Sequence, residues 1–130
     1  MTEAVDSIDA LAAIDWDKSG GLVPAVVQDA RTLRVLMLGY MDRTALAATC
    51  DSGRVTFFSR SKQRLWTKGE SSGHFLRLVR IETDCDADTL LIRVDPAGPA
   101  CHTGRVTCFH RPLVASEKDS APCPPALEGE

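Results

Sequence analysis

Three aspartates at alternate positions, with a cysteine between the first two, begin the part of this sequence that is richest in metal-binding side chains. In DCDADTLLIRVDPAGPACHTGRVTCF, residues 84–109, Asp84 and Asp86 flank Cys85, and Asp88 follows. On an extended backbone this alternation predicts the three carboxylates on one side and the cysteine on the other. Three carboxylates so close repel one another unless a hard cation neutralises them, and oxygen ligands suit Mg²⁺. The stretch therefore predicts a magnesium site, and an acidic turn in solvent is the alternative.

A calcium-binding EF-hand loop is the competing interpretation of the D-x-D-x-D spacing. The sixth position of that loop requires Gly and the twelfth a bidentate Glu, whereas Thr89 and Asp95 occupy these positions here. The residues on both sides also have the pattern of β-strands rather than of the helices that flank an EF-hand. These mismatches argue against calcium binding.

Three cysteines offer soft ligands beside these hard ones. Cys85, Cys101 and Cys108 are spaced 16 and 7 positions apart, so they form no C-x-x-C knuckle. Three protein ligands are typical of an open zinc site, which keeps its fourth position for a water and lowers the pKa of that water toward neutrality. We therefore expect zinc at these cysteines, and three buried, inert thiols are the alternative.

Three histidines are the candidates for moving a proton at such a site. His102 directly follows Cys101, and His110 closely follows Cys108. Either histidine could also supply a fourth zinc ligand. His74 ends the stretch GESSGH. The ordinary pKa of histidine suits proton transfer near neutral pH. A lone histidine is more often structural, and spacing does not choose among the three.

The charge of the chain is unevenly distributed. Its formal net charge is −3, yet residues 54–80 hold seven Lys or Arg side chains against Glu70 alone. Phosphate binding is the functional interpretation, and solvated strand faces are the alternative. Gly69 and Gly73 would let backbone amides of the intervening loop approach a phosphate closely. Because the whole chain is acidic and has few aromatic residues for base stacking, a small phosphorylated ligand fits better than nucleic acid.

Length and composition predict one globular domain. The chain has 130 residues, 44% apolar and 25% charged, and no apolar run approaches the ~18 residues that a membrane helix requires. The N-terminus carries acids where a signal peptide carries bases, which predicts a cytoplasmic protein. In that reducing compartment, five cysteines favour metal binding over disulfides.

The elements that must position these residues are mostly β-strands. A hairpin is expected from residues 22–29 and 34–41, and Pro24 should place its first strand at an edge or a bulge. Alternating apolar residues predict further strands at residues 54–61, 74–83, 88–95 and 104–114.

Two helices are expected beside these strands. Asp42 can cap a helix over residues 43–51, which Gly53 would end. A shorter amphipathic helix is expected over residues 6–15, with Ser7 as its N-cap.

The predicted fold class is therefore β-rich α+β. We expect twisted, mainly antiparallel sheets in a sandwich or pseudo-barrel, with one or two short helices, over residues 1–115. Residues 116–130 are rich in Pro, Ser and charge, which predicts a disordered tail that contains Cys123.

Two long motifs, FFSRSKQRLWTKGESSGH (57–74) and the stretch 84–109, resemble the phosphoribosyl-AMP cyclohydrolases of histidine biosynthesis. The resemblance covers roughly residues 20–110, and Ser71 stands where the family often has Thr. It implies hydrolytic opening of the N1–C6 bond of adenine in 1-(5-phosphoribosyl)-AMP. The length of the chain favours the monofunctional form over a fusion with a pyrophosphohydrolase.

The resemblance also assigns ligands and partners. The three aspartates would hold Mg²⁺, and the three cysteines would hold Zn²⁺ across the interface of an intertwined homodimer. The residues expected to bind the phosphorylated nucleotide are Arg60, Lys62, Trp66, Lys68, Gly69, Glu70, Ser71, Ser72 and Gly73.

Two other functions compete with this one. A zinc nucleotide deaminase requires H-x-E and P-C-x-x-C, and neither motif occurs, because Pro122-Cys123-Pro124-Pro125 lacks the second cysteine. A noncatalytic, zinc-stapled binding module is the other alternative, and a turnover assay would separate the three.

Overall fold

The computed structural model describes residues 7–18 and 20–116 of the chain. Its helices and strands are, in chain order, α1 (Ser7–Ala12), β1 (Val23–Asp29), β2 (Val35–Met41), α2 (Arg43–Ser52), β3 (Thr56–Ser59), β4 (Arg64–Thr67), β5 (Leu76–Thr83) and β6 (Leu90–Pro96). Apart from Ser116, the tail predicted at residues 116–130, including Cys123, lies outside the described residues. None of the described helices has the length and apolar character needed to cross a membrane.

Two sheets build the fold. The larger has the strand order β2-β1-β6-β5, and the smaller is the β3-β4 hairpin. Strands β1 and β2 are antiparallel, as are β5 and β6, whereas β1 and β6 run parallel. The prediction of a β-rich α+β fold with mainly antiparallel sheets is confirmed. The arrangement is that of a sandwich, because the strands of the described residues do not close into a barrel.

Pro24 was expected to place β1 at an edge or a bulge; the edge is wrong, and the register shift of β1 lies between Val27 and Gln28 rather than at Pro24. Strand β1 lies between β2 and β6, and Pro24 pairs with Tyr40 of β2. The parallel partner first pairs with β1 at Ala25, one residue later. Proline is tolerated here because its missing N–H falls before the β1-β6 ladder begins.

The strand predicted at residues 104–114 is wrong. These residues form no regular strand, and the sequence pattern missed the short strand β4 instead. Strand β4 pairs with β3, and Phe57 lies opposite Trp66 with their ring centroids 5.3 Å apart. Four residues are too few to show an alternating pattern, so aromatic packing across the hairpin was not visible in the sequence.

Helix α2 begins and ends where its capping residues predicted. The Asp42 carboxylate accepts a hydrogen bond from the Ala45 amide at 2.8 Å. Gly53 has a φ of 77° and donates its N–H to the Thr49 carbonyl at 2.9 Å. Helix α1 is shorter than the predicted residues 6–15, of which residue 6 lies outside the described part.

The core lies between the larger sheet, α2 and the β3-β4 hairpin. Buried side chains alternate with half-buried ones along β1 and β6, which is the period of a sheet with one face inward. Leu46 of α2 and Phe57 of β3 cover that face and are each 1% exposed. A Cβ atom at Gly39 of β2 would lie 2.5 Å from the Phe57 ring, so glycine at this position admits the aromatic side chain.

One buried hydroxyl joins α2 to β3. The Thr49 side chain is fully buried, donates to the Ala45 carbonyl and accepts from the Thr56 amide, both at 2.9 Å. A buried amide that loses its acceptor costs the free energy of its desolvation.

We therefore expect Thr49→Val to lower the free energy of unfolding by about 1–3 kcal/mol, because the Thr56 amide would lose its buried acceptor. Thr49→Ser keeps the hydroxyl and removes one methyl group, which should cost only about 0.8 kcal/mol. Urea unfolding of both variants measures the difference. Equal losses would show that the hydroxyl contributes no more than the methyl group.

Candidate active site

The three aspartates lie in a tight turn rather than on an extended strand. Residues 84–89, here called the acidic turn, connect β5 to β6, and Ala87 has a left-handed φ of 61°. The Asp84 carboxylate accepts from the Asp88 and Thr89 amides at 3.0 and 3.2 Å. The predicted strand-like alternation is thus wrong, because the backbone reverses here to begin β6. The turn nevertheless gathers the side chains of Asp84, Asp86 and Asp88, whose ligand atoms all lie within 4.8 Å of one another.

A lysine that the sequence did not indicate neutralises part of this charge. Lys18 Nζ lies 2.8 Å from Asp86 Oδ2 and 3.3 Å from Asp88 Oδ2. Lys18 precedes β1 and the acidic turn precedes β6, so the parallel pairing of β1 and β6 brings the two segments to the same edge. The hydrogen bond from Lys18 lowers the pKa of Asp86, and Asp88 contributes further. Three clustered carboxylates are a donor set that fits Mg²⁺.

Two of the three predicted zinc ligands lie together in an irregular segment. Residues 97–110, here called the cysteine segment, follow β6, and Cys101 and Cys108 lie close enough for each to affect the pKa of the other. The Thr107 hydroxyl donates to the Val35 carbonyl at 2.7 Å, and the Cys108 amide donates to the Leu36 carbonyl at 2.7 Å. The segment is therefore fixed against β2 without forming a strand.

The environment of Cys101 favours its thiolate. The Thr103 hydroxyl lies 3.0 Å from Cys101 Sγ, and His110 Nε2 lies 3.7 Å from it. The hydrogen bond from Thr103, opposed by desolvation and aided by His110 and Cys108, lowers the pKa of Cys101 to about 6. Desolvation and the neighbouring Cys101 raise the pKa of Cys108. A thiolate beside a second thiol is a donor pair that fits zinc.

Cys85 stands apart from this pair in the single chain. It is an exposed residue of the acidic turn. Among the residues that the structure describes, the three aspartates are the one set of three potential ligands whose atoms lie within 4.8 Å of one another. One chain therefore does not gather Cys85, Cys101 and Cys108 into a single group.

A cavity of about 290 Å³ brings the cysteine segment together with the predicted substrate loop. This loop cavity is lined by Trp66, Lys68, Gly69, Glu70, Ser71, Ser72, His74, Pro99, Cys101, His102 and Gly104. The loop is compact because Gly69 has a φ of 95° and its carbonyl accepts from the Gly73 amide at 2.7 Å. A Cβ atom at Gly69 would lie 2.6 Å from the backbone of His74, so only glycine allows this approach.

The three histidines take different positions. His74 and His102 line the loop cavity, whereas His110 lies against Cys101. The His74 ring packs on Gly98, where a Cβ atom would lie 2.7 Å from it. His74 and His102 are thus the histidines placed to reach a molecule in the cavity.

A second, larger cavity of about 780 Å³ lies beside the β3-β4 hairpin. This hairpin cavity is lined by Gly39, Tyr40, Phe57, Phe58, Ser59, Arg60, Ser61, Lys62, Arg64, Trp66, Glu70 and Ser71. It contains the predicted Arg60 and Lys62, and the Arg60 guanidinium lies 4.0 Å from the centre of the Tyr40 ring. Tyr40 was not predicted, because its place in the cavity depends on β2 lying beside the hairpin. Arg64 belongs to the cationic stretch 54–80 but was not among the predicted binding residues.

The chain is similar to known proteins over most of its length. Residues 37–110 match the family model described as phosphoribosyl-AMP cyclohydrolase. The histidine biosynthesis bifunctional protein HisIE of Xanthomonas campestris pv. campestris is 66% identical over 108 residues, which are 83% of this chain and 52% of that protein. The protein of the same name from Vibrio cholerae is 65% identical over 96 residues, 74% of this chain and 46% of that protein. The chain thus spans about half the length of the curated relatives that it matches.

We expect the Cys101 thiol of the metal-free protein to ionise with a midpoint near pH 6, since that is the pKa that its hydrogen bonds give it. Thr103→Val removes the main donor, so the thiolate should form only at a higher pH. The ¹³Cβ chemical shift of labelled cysteine, followed against pH, measures the midpoint. Thr103→Ser keeps the hydroxyl, so Cys101 should titrate in this variant as in the wild type. A midpoint that stays near pH 6 in Thr103→Val would contradict the Thr103 hydrogen bond as the cause of the lowered pKa.

Removal of the Lys18 charge should strengthen divalent-cation binding at the acidic turn, because the ammonium competes for Asp86 and Asp88. Mn²⁺ binding to Lys18→Met, followed by the loss of the free-ion electron paramagnetic resonance signal, should give a lower dissociation constant than the wild type. Lys18→Arg keeps the charge and serves as the control. Weaker binding by Lys18→Met alone would mean that Lys18 holds the turn in its binding shape.

Proposed function

This chain belongs to the phosphoribosyl-AMP cyclohydrolase family, and from that premise we propose that it opens the adenine ring of 1-(5-phosphoribosyl)-AMP by hydrolysis, in the cytoplasm. The observation that carries the proposal is the loop cavity, in which Cys101 and His102 face Lys68 and the Gly69–Gly73 loop. A metal-ligand thiol and a cationic, glycine-rich loop at one cavity suit a phosphorylated substrate with a hydrolysable centre.

The proposed reaction consumes one water. The N1-phosphoribosyl group leaves the adenine ring electron-poor at C6, so water adds to this carbon. The C6–N1 bond then breaks and N1 takes up a proton. The water oxygen stays on C6 as the carboxamide oxygen, and N1 stays in the formimino group of the ring-opened ribonucleotide.

The side chains of the loop cavity would position this substrate and move its protons. Lys68 and the amides of the Gly69–Gly73 loop would bind sugar oxygens of the substrate, and Trp66 would contact the base. His102 and His74, which line the cavity, would accept a proton from the attacking water and donate one to N1. His110, which lies against Cys101 rather than in the cavity, would orient that thiolate.

The two metals of the proposal would use the two ligand sets described above. Asp84, Asp86 and Asp88 would hold Mg²⁺, while Cys101 and Cys108, completed by Cys85, would hold Zn²⁺. Zinc held by three protein ligands would keep a position for a water and lower the pKa of that water.

We propose that the zinc ligands come from two copies of the chain. This is supported by the separation of Cys85 from the Cys101–Cys108 pair within one chain. It is also supported by the large apolar side chains that follow Cys108, since Phe109, Leu113 and Val114 are 59%, 96% and 90% exposed. Such a run of exposed apolar residues favours an interface between protein chains.

The activity itself is tested by measuring the absorbance of the ring-opened product. Release of ammonia would instead indicate a deaminase. We expect Cys101→Ser to abolish turnover and bound zinc. Cys123→Ser, the matched control, should keep both, and a chain ending at Ala115 should do the same. Equal effects of the two cysteine variants would contradict the ligand assignment.

The shared site is tested by mixing two inactive variants. Cys85→Ser and Cys108→Ser subunits, unfolded and refolded together, should rebuild one complete site per heterodimer, since each chain supplies what the other lacks. We expect recovery of about half of the wild-type activity per heterodimer, lost again on adding a strong zinc chelator. Verified heterodimers without activity would refute the shared site while leaving the family's reaction intact in the wild type.

A further inference from the structure

A third cavity opens beside the turn between β1 and β2. Of the predicted site residues, His74 alone lines it. It has a volume of about 580 Å³. This arginine cavity is lined by Asp29, Arg31, Thr32, Arg34, His74, Pro96, Ala97, Gly98, Pro99 and Val106. Its walls are the β1-β2 turn, the end of β6 and the start of the cysteine segment.

The three cavities follow one another along the surface. His74 and Pro99 line both the arginine cavity and the loop cavity. Trp66, Glu70 and Ser71 line both the loop cavity and the hairpin cavity. The loop cavity, which carries Cys101, is therefore the middle one of the three.

Both outer cavities are lined by two or more cationic side chains. Arg60 and Lys62 line the hairpin cavity, and Arg31 and Arg34 line the arginine cavity. Arg31 is exposed and makes no ion pair with the part of the chain that the structure describes.

The one carboxylate of the arginine cavity is engaged by backbone. Asp29 is 6% exposed, and its Oδ1 accepts from the Arg31 and Thr32 amides at 2.8 and 3.2 Å. These bonds order the turn that carries both arginines. With two arginines against this one carboxylate, the lining of the cavity carries a net positive charge.

We propose that the two outer cavities each bind one of the two phosphate groups of the substrate, and that Arg31 and Arg34 bind the phosphate that Arg60 and Lys62 do not reach. This inference rests on the proposed function, whose substrate carries a ribose 5-phosphate on both N1 and N9 of adenine. The two arms leave opposite sides of the base. A central cavity for the base, flanked by two cationic cavities, matches that shape.

Guanidinium groups suit the assigned role. Their planar fork donates two parallel hydrogen bonds to phosphate, and their charge persists at all physiological pH values. A substrate with one phosphate, such as AMP, could occupy only one outer cavity. The arginine cavity would thus contribute to discrimination between the doubly phosphorylated substrate and AMP.

The test pairs protein variants with shortened substrates. Wild type, Arg31→Gln and Arg60→Gln are each assayed with 1-(5-phosphoribosyl)-AMP and with its two analogues that lack one or the other 5-phosphate. Arg80→Gln is the matched control, because Arg80 is an exposed arginine of β5 that pairs with Glu82 away from the cavities. Circular dichroism and thermal unfolding establish that each variant is folded.

We expect Arg31→Gln to raise KM for the full substrate about 10- to 100-fold, the usual effect of losing a hydrogen bond to a charged group. The increase in KM caused by Arg31→Gln should vanish for one analogue only, since a variant cannot lose a contact to a phosphate that is absent. The increase in KM caused by Arg60→Gln should vanish with the other analogue. Arg80→Gln should match the wild type throughout.

The outcomes separate the two proposals. If the wild type does not open the ring of the full substrate, the proposed function fails. If the wild type turns over while Arg31→Gln behaves like Arg80→Gln, the arginine cavity binds no phosphate and this inference alone is overturned. Loss of the penalty with the same analogue in both variants would likewise overturn the division of the phosphates between the two cavities.

Discussion

The hydrogen bonds between the cysteine segment and strand β2 are the constraint on which the candidate site depends. Residues 97–110 form no regular strand, so no ladder fixes them. The Thr107 hydroxyl and the Cys108 amide bind carbonyl groups of β2 instead. Thr107 is 1% exposed, and a buried hydroxyl with its partners satisfied is a stable anchor. Cys101 and His102 reach the loop cavity because this anchor holds the segment on the sheet.

Charge balance is the second constraint, and the fold meets it with side chains from segments far apart in sequence. The carboxylates of the acidic turn face Lys18, which parallel strand pairing brings to them. The cationic residues of the β3-β4 hairpin border Glu70, and Arg31 and Arg34 border Asp29. Each candidate site thus contains charged side chains of both signs.

The sequence predicted most reliably what depends on neighbouring residues. Asp42 and Gly53 marked the ends of α2 because capping is a local interaction, and the spacing of Asp84, Asp86 and Asp88 identified a carboxylate cluster. Prediction from the sequence failed where the pairing of strands far apart in the chain decides the structure. Position 24 was assigned to an edge or a bulge because nothing in the sequence shows that β6 begins its ladder one residue later. The pattern of residues 104–114 predicted a strand that side-chain anchoring replaces, and Lys18 and Arg31 gave no signal because sheet topology alone places them.

The parallel pairing of β1 with β6 also bears on the order of folding. The β1-β2 hairpin, α2 and the β5-β6 hairpin join residues close along the chain, whereas Ala25 must find Leu90. Closing so long a loop has a large entropic cost before any contact compensates it, and such pairings slow folding. The acidic turn meets Lys18 only when that loop closes. A chain emerging during synthesis therefore carries an acidic turn whose charge is not yet balanced, and a divalent ion bound there early would compete with Lys18 as the sheet closes.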